Sequence, residues 1–437
     1  MEIIGFRTPG LGDQSYLLAH DGHAILVDPQ RDVDRFLDAA DERGLDVRYV
    51  LETHLHNDYL SGGGIAAART GAELVMPAGA APAYRHTPAF HLEDLQGPGG
   101  LVVRPVHTPG HTPEHTSYVV LVDGEPVAVF SGGSLLVSSA GRTDLLGPER
   151  ARTLARLQHG SVHRLAGLPR EVALYPTHGE GSFCTVSGGG RHTSTIGAER
   201  DGNPLLALPD AEAFADRLLA VRPPIPAFYA AMGPGNVRGV QEPPSAALPE
   251  LTAAQALDLP DAYLVDMRPR QRQAEGFLPG SLGVSLADDF GSWTGWLLPF
   301  GAPVVLVAEP GQDVAEARVQ LARVGFDDVR GVVHDLGGHA VKRFTLLDLD
   351  EAAPLVPGTQ VLDVRMPQER ADAPLPGAVE RFVADLVTEG VPADLDPARP
   401  VLVACGSGRR AAIAATLLVR AGFTPLVLND AAAPDLA

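Results

Sequence analysis

The second half of this 437-residue chain says nearly the same thing twice. Leu264-Val265-Asp266-Met267-Arg268 recurs as Val361-Leu362-Asp363-Val364-Arg365, and Leu278-Pro279-Gly280 as Leu375-Pro376-Gly377. Val305-Leu306-Val307-Ala308 answers Val401-Leu402-Val403-Ala404, and Val324-Gly325-Phe326 answers Ala421-Gly422-Phe423, always 96 or 97 residues on. So constant an offset means two copies of one fold. Each copy alternates short apolar runs with helical spacing, which predicts small parallel α/β domains over 246–343 and 344–437. Met232-Gly233-Pro234-Gly235-Asn236, with Glu242-Pro243-Pro244-Ser245 after it, reads as the linker ahead of them. That leaves 1–243 as a first domain.

The first domain opens as a hairpin, two apolar runs joined by Asp21-Gly22. Residues 32–42 have helical spacing, and Val47 to Leu51 forms a buried strand running into Glu52-Thr53-His54-Leu55-His56-Asn57-Asp58-Tyr59. Where a strand breaks into a loop, period-two spacing can turn His54, His56 and Asp58 toward one point. Imidazole and carboxylate together suit zinc, iron or manganese; the alternative is a solvated polar loop. Two more strand ends carry the same residue type. Val106-His107-Thr108-Pro109-Gly110-His111-Thr112-Pro113-Glu114-His115 holds three histidines, and Leu174-Tyr175-Pro176-Thr177-His178-Gly179 ends another strand. Histidines at three separate strand ends argue for a metal site. Residues 187–206 read as an irregular loop and 211–220 as a helix.

A formal charge of −20 argues against nucleic acid or an anionic membrane as partner. Two cysteines, Cys184 and Cys405, make no disulfide framework, and Cys184 reads as a small buried apolar residue. No signal peptide and no apolar run of membrane-spanning length is visible, so a cytoplasmic protein is expected. Assembly into a homo-oligomer is left open.

His-x-His-x-Asp at 54–58, Thr-Pro-Gly-His at 108–111 and Pro-Thr-His at 176–178 resemble the metallo-β-lactamase fold superfamily, whose αββα sandwich has two sheets between helices. With Gly141-Arg142-Thr143-Asp144, the likeness narrows to the glyoxalase II branch, and within it to persulfide dioxygenases. The resemblance implies oxidation of a glutathione-like thiol persulfide to sulfite at one metal, iron(II) before zinc. It implies metal contacts among His54, His56, Asp58, His111 and His178, and substrate contact by Arg142, whose bland alternative is a surface ion pair. The family has histidine where this chain has Tyr59, which points away from a two-metal site. It has its ligating aspartate where this chain has Gly133, a place that another matched residue, His115 or water would fill, if the metal is kept at all. A glyoxalase II-like (thio)ester hydrolase is the second reading. A sulfurtransferase with a non-catalytic first domain is the third.

Both repeats resemble rhodanese sulfurtransferase domains. The second carries Cys405-Gly406-Ser407-Gly408-Arg409-Arg410 between a strand and a helix. Loop amides, the helix N-terminus, Arg409 and Arg410 all favour a thiolate and its persulfide at Cys405, so sulfane-sulfur donors are expected substrates. The first repeat has Glu309 at the aligned position and is expected to be an inactive copy.

Overall fold

The computed structural model describes residues 1–179, 181–184 and 191–437. It divides into two compact units, Met1–Pro243 with Ala322–Gly325, and Pro244–Leu321 with Phe326–Ala437.

The first unit is an αββα sandwich. One sheet runs in order β1 (Glu2–Thr8), β2 (Asp13–His20), β3 (His23–Val27), β4 (Asp46–Leu51), β5 (Glu73–Pro77), β6 (Thr87–Ala89). The β2–β3 turn is the expected Asp21-Gly22, both at positive φ (48° and 76°). The second sheet contains β7 (Leu95–Gln96), β8 (Leu101–His107), β9 (Thr116–Val122), β10 (Glu125–Gly132), β13 (Ala173–Pro176) and β14 (Ser194–Thr195), in order β14-β13-β10-β9-β8-β7. Between β10 and β13 lie the short pair β11 (Leu135–Leu136) and β12 (Ser139–Ala140).

Strand alternation sorts the apolar residues into three layers. Tyr16, Leu18, Ile25, Val27 and Leu51 meet Val103, Tyr118, Val120 and Phe130 between the sheets. Leu17, Leu26 and Val50 face outward onto Phe36, Ala40 and Ile65 of the helices Asp34–Asp41 and Gly63–Thr70. Val119, Val129 and Leu174 face the helices Pro148–Ala166 and Ala211–Ala220. Both faces of each sheet are covered, which is why these strands read as continuous apolar runs.

Two sequence expectations fail here. The stretch taken as a linker at 232–236 lies in the helix Tyr229–Arg238, where small residues permit close approach. A Cβ on Gly235 would meet Leu60 Cδ2 at 2.9 Å. Part of the expected loop at 187–206 is ordered as β14 and the helix Ile196–Gly202, with Thr195 accepting from Ala198 N–H as its cap. Residues 187–190 lie outside the described residues.

The second unit holds one sheet per repeat. The first contains β15 (Tyr263–Asp266), β16 (Leu282–Gly283), β17 (Val304–Val307) and β18 (Val329–Val333), in order β16-β15-β17-β18. The second contains β19 (Thr345–Leu347), β20 (Gln360–Asp363), β21 (Val379–Glu380), β22 (Val401–Ala404) and β23 (Pro425–Leu428), in order β19-β23-β22-β20-β21. Every pairing in both is parallel. Strand for strand the orders match, and the first repeat replaces β19 with a single parallel bridge, Glu250 to Val332. Among the described residues, no helix is long and apolar enough to cross a membrane.

Candidate metal centre

The loops after β3, β4, β10 and β13 and the β8–β9 loop reach one edge of the sandwich. Backbone bonds stitch them there, Thr116 N–H to Thr53 O (2.8 Å), Gln14 N–H to Thr177 O (2.8 Å) and Thr177 N–H to Gly132 O (3.0 Å). Within this frame His54, His111 and His178 present ring nitrogens all within 4.8 Å of one another, and all three side chains are buried.

Hydrogen bonds fix which nitrogen faces inward. The Thr53 hydroxyl donates to Asp28 Oδ2 (2.7 Å), so it accepts from His54 Nδ1–H (2.8 Å). His111 Nδ1 donates to the Arg142 carbonyl (2.7 Å), and His178 Nδ1 to Asp13 Oδ1 (2.8 Å). Each Nε2 therefore carries a lone pair. His111 Nε2 is buried without a partner, and the Nε2 atoms of His54 and His178 stand 3.3 Å apart. Burial, reinforced by the neighbouring imidazoles, holds His54 and His111 well below the usual histidine range, and burial lowers His178. Three neutral imidazoles with converging lone pairs, each oriented through its other nitrogen, fit a divalent transition metal.

The other expected metal residues lie beside this trio. His56 stacks on Tyr59 (centroids 4.3 Å) and points Nε2 at Glu52 Oε2 (3.1 Å) and Asp28 Oδ1 (3.3 Å), with Nδ1 buried and unpartnered. Burial opposes its charge, but these two carboxylates outweigh burial and hold it well above the usual histidine range. Asp58 Oδ2 lies 3.3 Å from His178 Nδ1 and accepts from the Cys184 thiol (3.4 Å). Asp58 and Asp13 are both pushed up to about 7, chiefly by burial. His115 is fully engaged, since Nε2 accepts from Gly133 N–H (2.9 Å) and Nδ1 meets Thr108 Oγ1 (2.9 Å).

Gly133 does more than lack a carboxylate. A Cβ there would lie 2.2 Å from His111 Cδ2, so the imidazole ring occupies the space an aspartate would need. Arg142 is buried among protein partners. It makes a two-pronged pair with Asp144 (2.7 and 2.9 Å) and donates to the carbonyls of Phe183 (2.9 Å) and Pro223 (2.8 Å). It is not a surface pair. Sequence reading missed Asp13, Asp28, Glu52 and Asn236. The Asn236 amide donates to the carbonyls of His56 and Tyr59 (2.9 Å each) and accepts from Ser61 N–H (2.8 Å), pinning the histidine loop from 175 or more residues away.

The profile of the metallo-beta-lactamase superfamily matches residues 9–178. Over 245 residues the chain is 30% identical to the mitochondrial persulfide dioxygenase of Bos taurus, covering 53% of this chain and 86% of that one. The chain belongs to the metallo-β-lactamase superfamily. This metallo-β-lactamase-fold chain is also 32% identical to a hydroxyacylglutathione hydrolase of Maricaulis maris, over 40% of its own length and 66% of the relative's. The metallo-beta-lactamase crystal structure from Staphylococcus aureus shares its fold at TM-score 0.70 and 26% identity, covering 76% of this chain and 99% of that one. The rhodanese-like domain profile matches residues 347–431.

In that rhodanese-like domain Cys405 is buried at the end of β22, and its Sγ accepts from Gly408 N–H (3.2 Å). Gly408 caps the helix Arg409–Arg420 at φ 84°, where a Cβ would meet Leu428 O at 2.9 Å. Arg410 pairs with Glu369 through both prongs, and Arg409 with Asp289 of the first repeat. At the equivalent place in the first repeat, Glu309 forms an ion pair with Arg272 (3.0 Å).

Proposed function

We propose that the first unit oxidises an organic persulfide at one metal ion, iron(II) before zinc, held by His54, His111 and His178, and that Cys405 carries sulfane sulfur in the second unit. The observation behind this reading is the set of three inward imidazole lone pairs in a fold related to persulfide dioxygenases. The overall change is RSSH + O2 + H2O giving RSH, sulfite and two protons. A bound iron would supply the site at which dioxygen is activated. The protein's own contribution is orientation and exclusion of water. Thr53, the Arg142 carbonyl and Asp13 fix the three rings, and the buried Asp13–Asp58 pair behind His178 holds a proton near neutrality.

At Cys405 the thiolate would attack the outer sulfur of a donor persulfide RSSH, forming a Sγ–SH persulfide as the donor's S–S bond breaks and RS⁻ leaves, and the new persulfide then gives up its proton to the donor thiolate. The Gly408 amide and the helix start stabilise negative charge on Cys405 Sγ. Arg410 stays protonated beside it: burial opposes its charge, but the hydrogen-bonded Glu369 carboxylate outweighs burial.

Thioester hydrolysis is the second reading, favoured by the hydroxyacylglutathione hydrolase relative. Tyr59 and Gly133 weigh against it, because they remove two ligands a binuclear site needs. Oxygen uptake with an added organic persulfide, run beside S-lactoylglutathione hydrolysis on iron-loaded and zinc-loaded protein, separates the readings. Hydrolysis without oxygen uptake would overturn the first.

A further inference from the structure

A cleft of about 580 Å³ on the first unit lies beside the buried metal centre, within the size range of small-molecule sites, and none of the three inward histidines lines it. Its lining is one residue removed from the metal centre at several points. Leu55 and Asn57 alternate with His54, His56 and Asp58, and Thr112 follows His111. Tyr229, also on the lining, has its hydroxyl 3.9 Å from Cys184 Sγ.

The chemistry of the walls is one-sided. Leu55, Pro113, Leu146, Ile225 and Pro226 line it with apolar side chains, and Leu146 and Ile225 remain 36% and 41% exposed. No described lining side chain is cationic. Among the described lining residues the one charged is Glu114, whose Oε1 accepts from Leu55 N–H (3.0 Å) and Thr112 Oγ1–H (2.8 Å). Arg142, the residue expected to meet the carboxylates of glutathione, is committed to Asp144 and two backbone carbonyls. A glutathione tail would bring two carboxylates to a cleft that offers them no counter-charge and one like charge. An unpaired carboxylate moved out of water into such a place is penalised. An alkyl chain gains with each methylene it buries there.

We propose that this cleft binds a small uncharged, apolar organic thiol and its persulfide, and discriminates against glutathione. The inference rests on the persulfide reading above for its chemistry, but binding is measurable without turnover. Titration calorimetry on the iron-loaded full chain should show 1-hexanethiol binding at least about tenfold more tightly than glutathione. Replacing the exposed pair with acid (Leu146→Asp, Ile225→Asp) should remove that advantage without lowering the melting temperature appreciably. Glutathione binding as tightly as hexanethiol, neither thiol binding, or an advantage that survives both substitutions overturns the proposal. If hexanethiol binds as expected while hexyl persulfide supports no oxygen uptake, the cleft assignment stands and persulfide oxidation falls.

Discussion

At Gly133 an added methyl would sit 2.2 Å from the His111 ring, which turns a missing ligand into a steric statement. Restoring the family's aspartate by Gly133→Asp should therefore lose metal rather than tighten it. Overpacking of this kind costs about 1–3 kcal/mol. Gly133→Ala, which adds bulk and no carboxylate, should show most of the same loss. Metal stoichiometry and melting temperature for the two variants decide the point: a gain of metal in Gly133→Asp would mean His111 moves aside easily. His178→Ala should lose most bound metal. His115→Gln should keep it, since both nitrogens of His115 already serve Gly133 and Thr108. The sequence motifs made the histidines legible as a group. They could not say which nitrogen faces inward, because that depends on Asp28 behind Thr53, on Asp13 and on the Arg142 carbonyl, all distant in sequence from the rings they orient. The burial of Arg142 was not legible for the same reason. Its partners Phe183 and Pro223 are 41 and 81 residues away.

Strands and amphipathic helices were readable because their periodicity is local. The helix Tyr229–Arg238 was not, since Gly233, Pro234 and Gly235 carry the composition of a turn. Tertiary contact overrides that preference, because the small residues let Asn236 reach the histidine loop. Asn236→Ala should strand Ser61 N–H and two carbonyls, all buried in the loop that carries His54 and His56. A cost of about 3 kcal/mol is expected, read as a lower denaturation midpoint of the first unit together with faster loss of metal to a chelator. An unchanged chelation rate would show that the clamp contributes to stability alone. Within the second unit the repeated motifs fall on β15 and β20 and on β17 and β22, inner strands of the two sheets, and the flanking strands carried no such signal. The Arg409–Asp289 pair between copies was not legible, although it ties the copy without a cysteine to the start of the helix that follows the Cys405 loop.

Each of the two compact units has its own core, so the two proposed chemistries should be separable by mutation. Cys405→Ser should abolish sulfur transfer from thiosulfate, because a serine hydroxyl forms no persulfide. The same variant should retain its metal content and any oxygen uptake from added persulfide. Glu309→Gln should alter neither activity, as that loop has no sulfur carrier to lose. Mass spectrometry after thiosulfate treatment gives the direct reading, one extra sulfur atom on the peptide containing Cys405. Cys184 should stay unlabelled. It is fully buried, and burial with the nearby Asp58 and Asp13 carboxylates pushes its thiol well above the usual range, which disfavours the nucleophilic thiolate. Sulfur on Cys184 instead would move the transfer chemistry into the first unit, beside His178, and would make the two units partners in one reaction rather than neighbours on one chain.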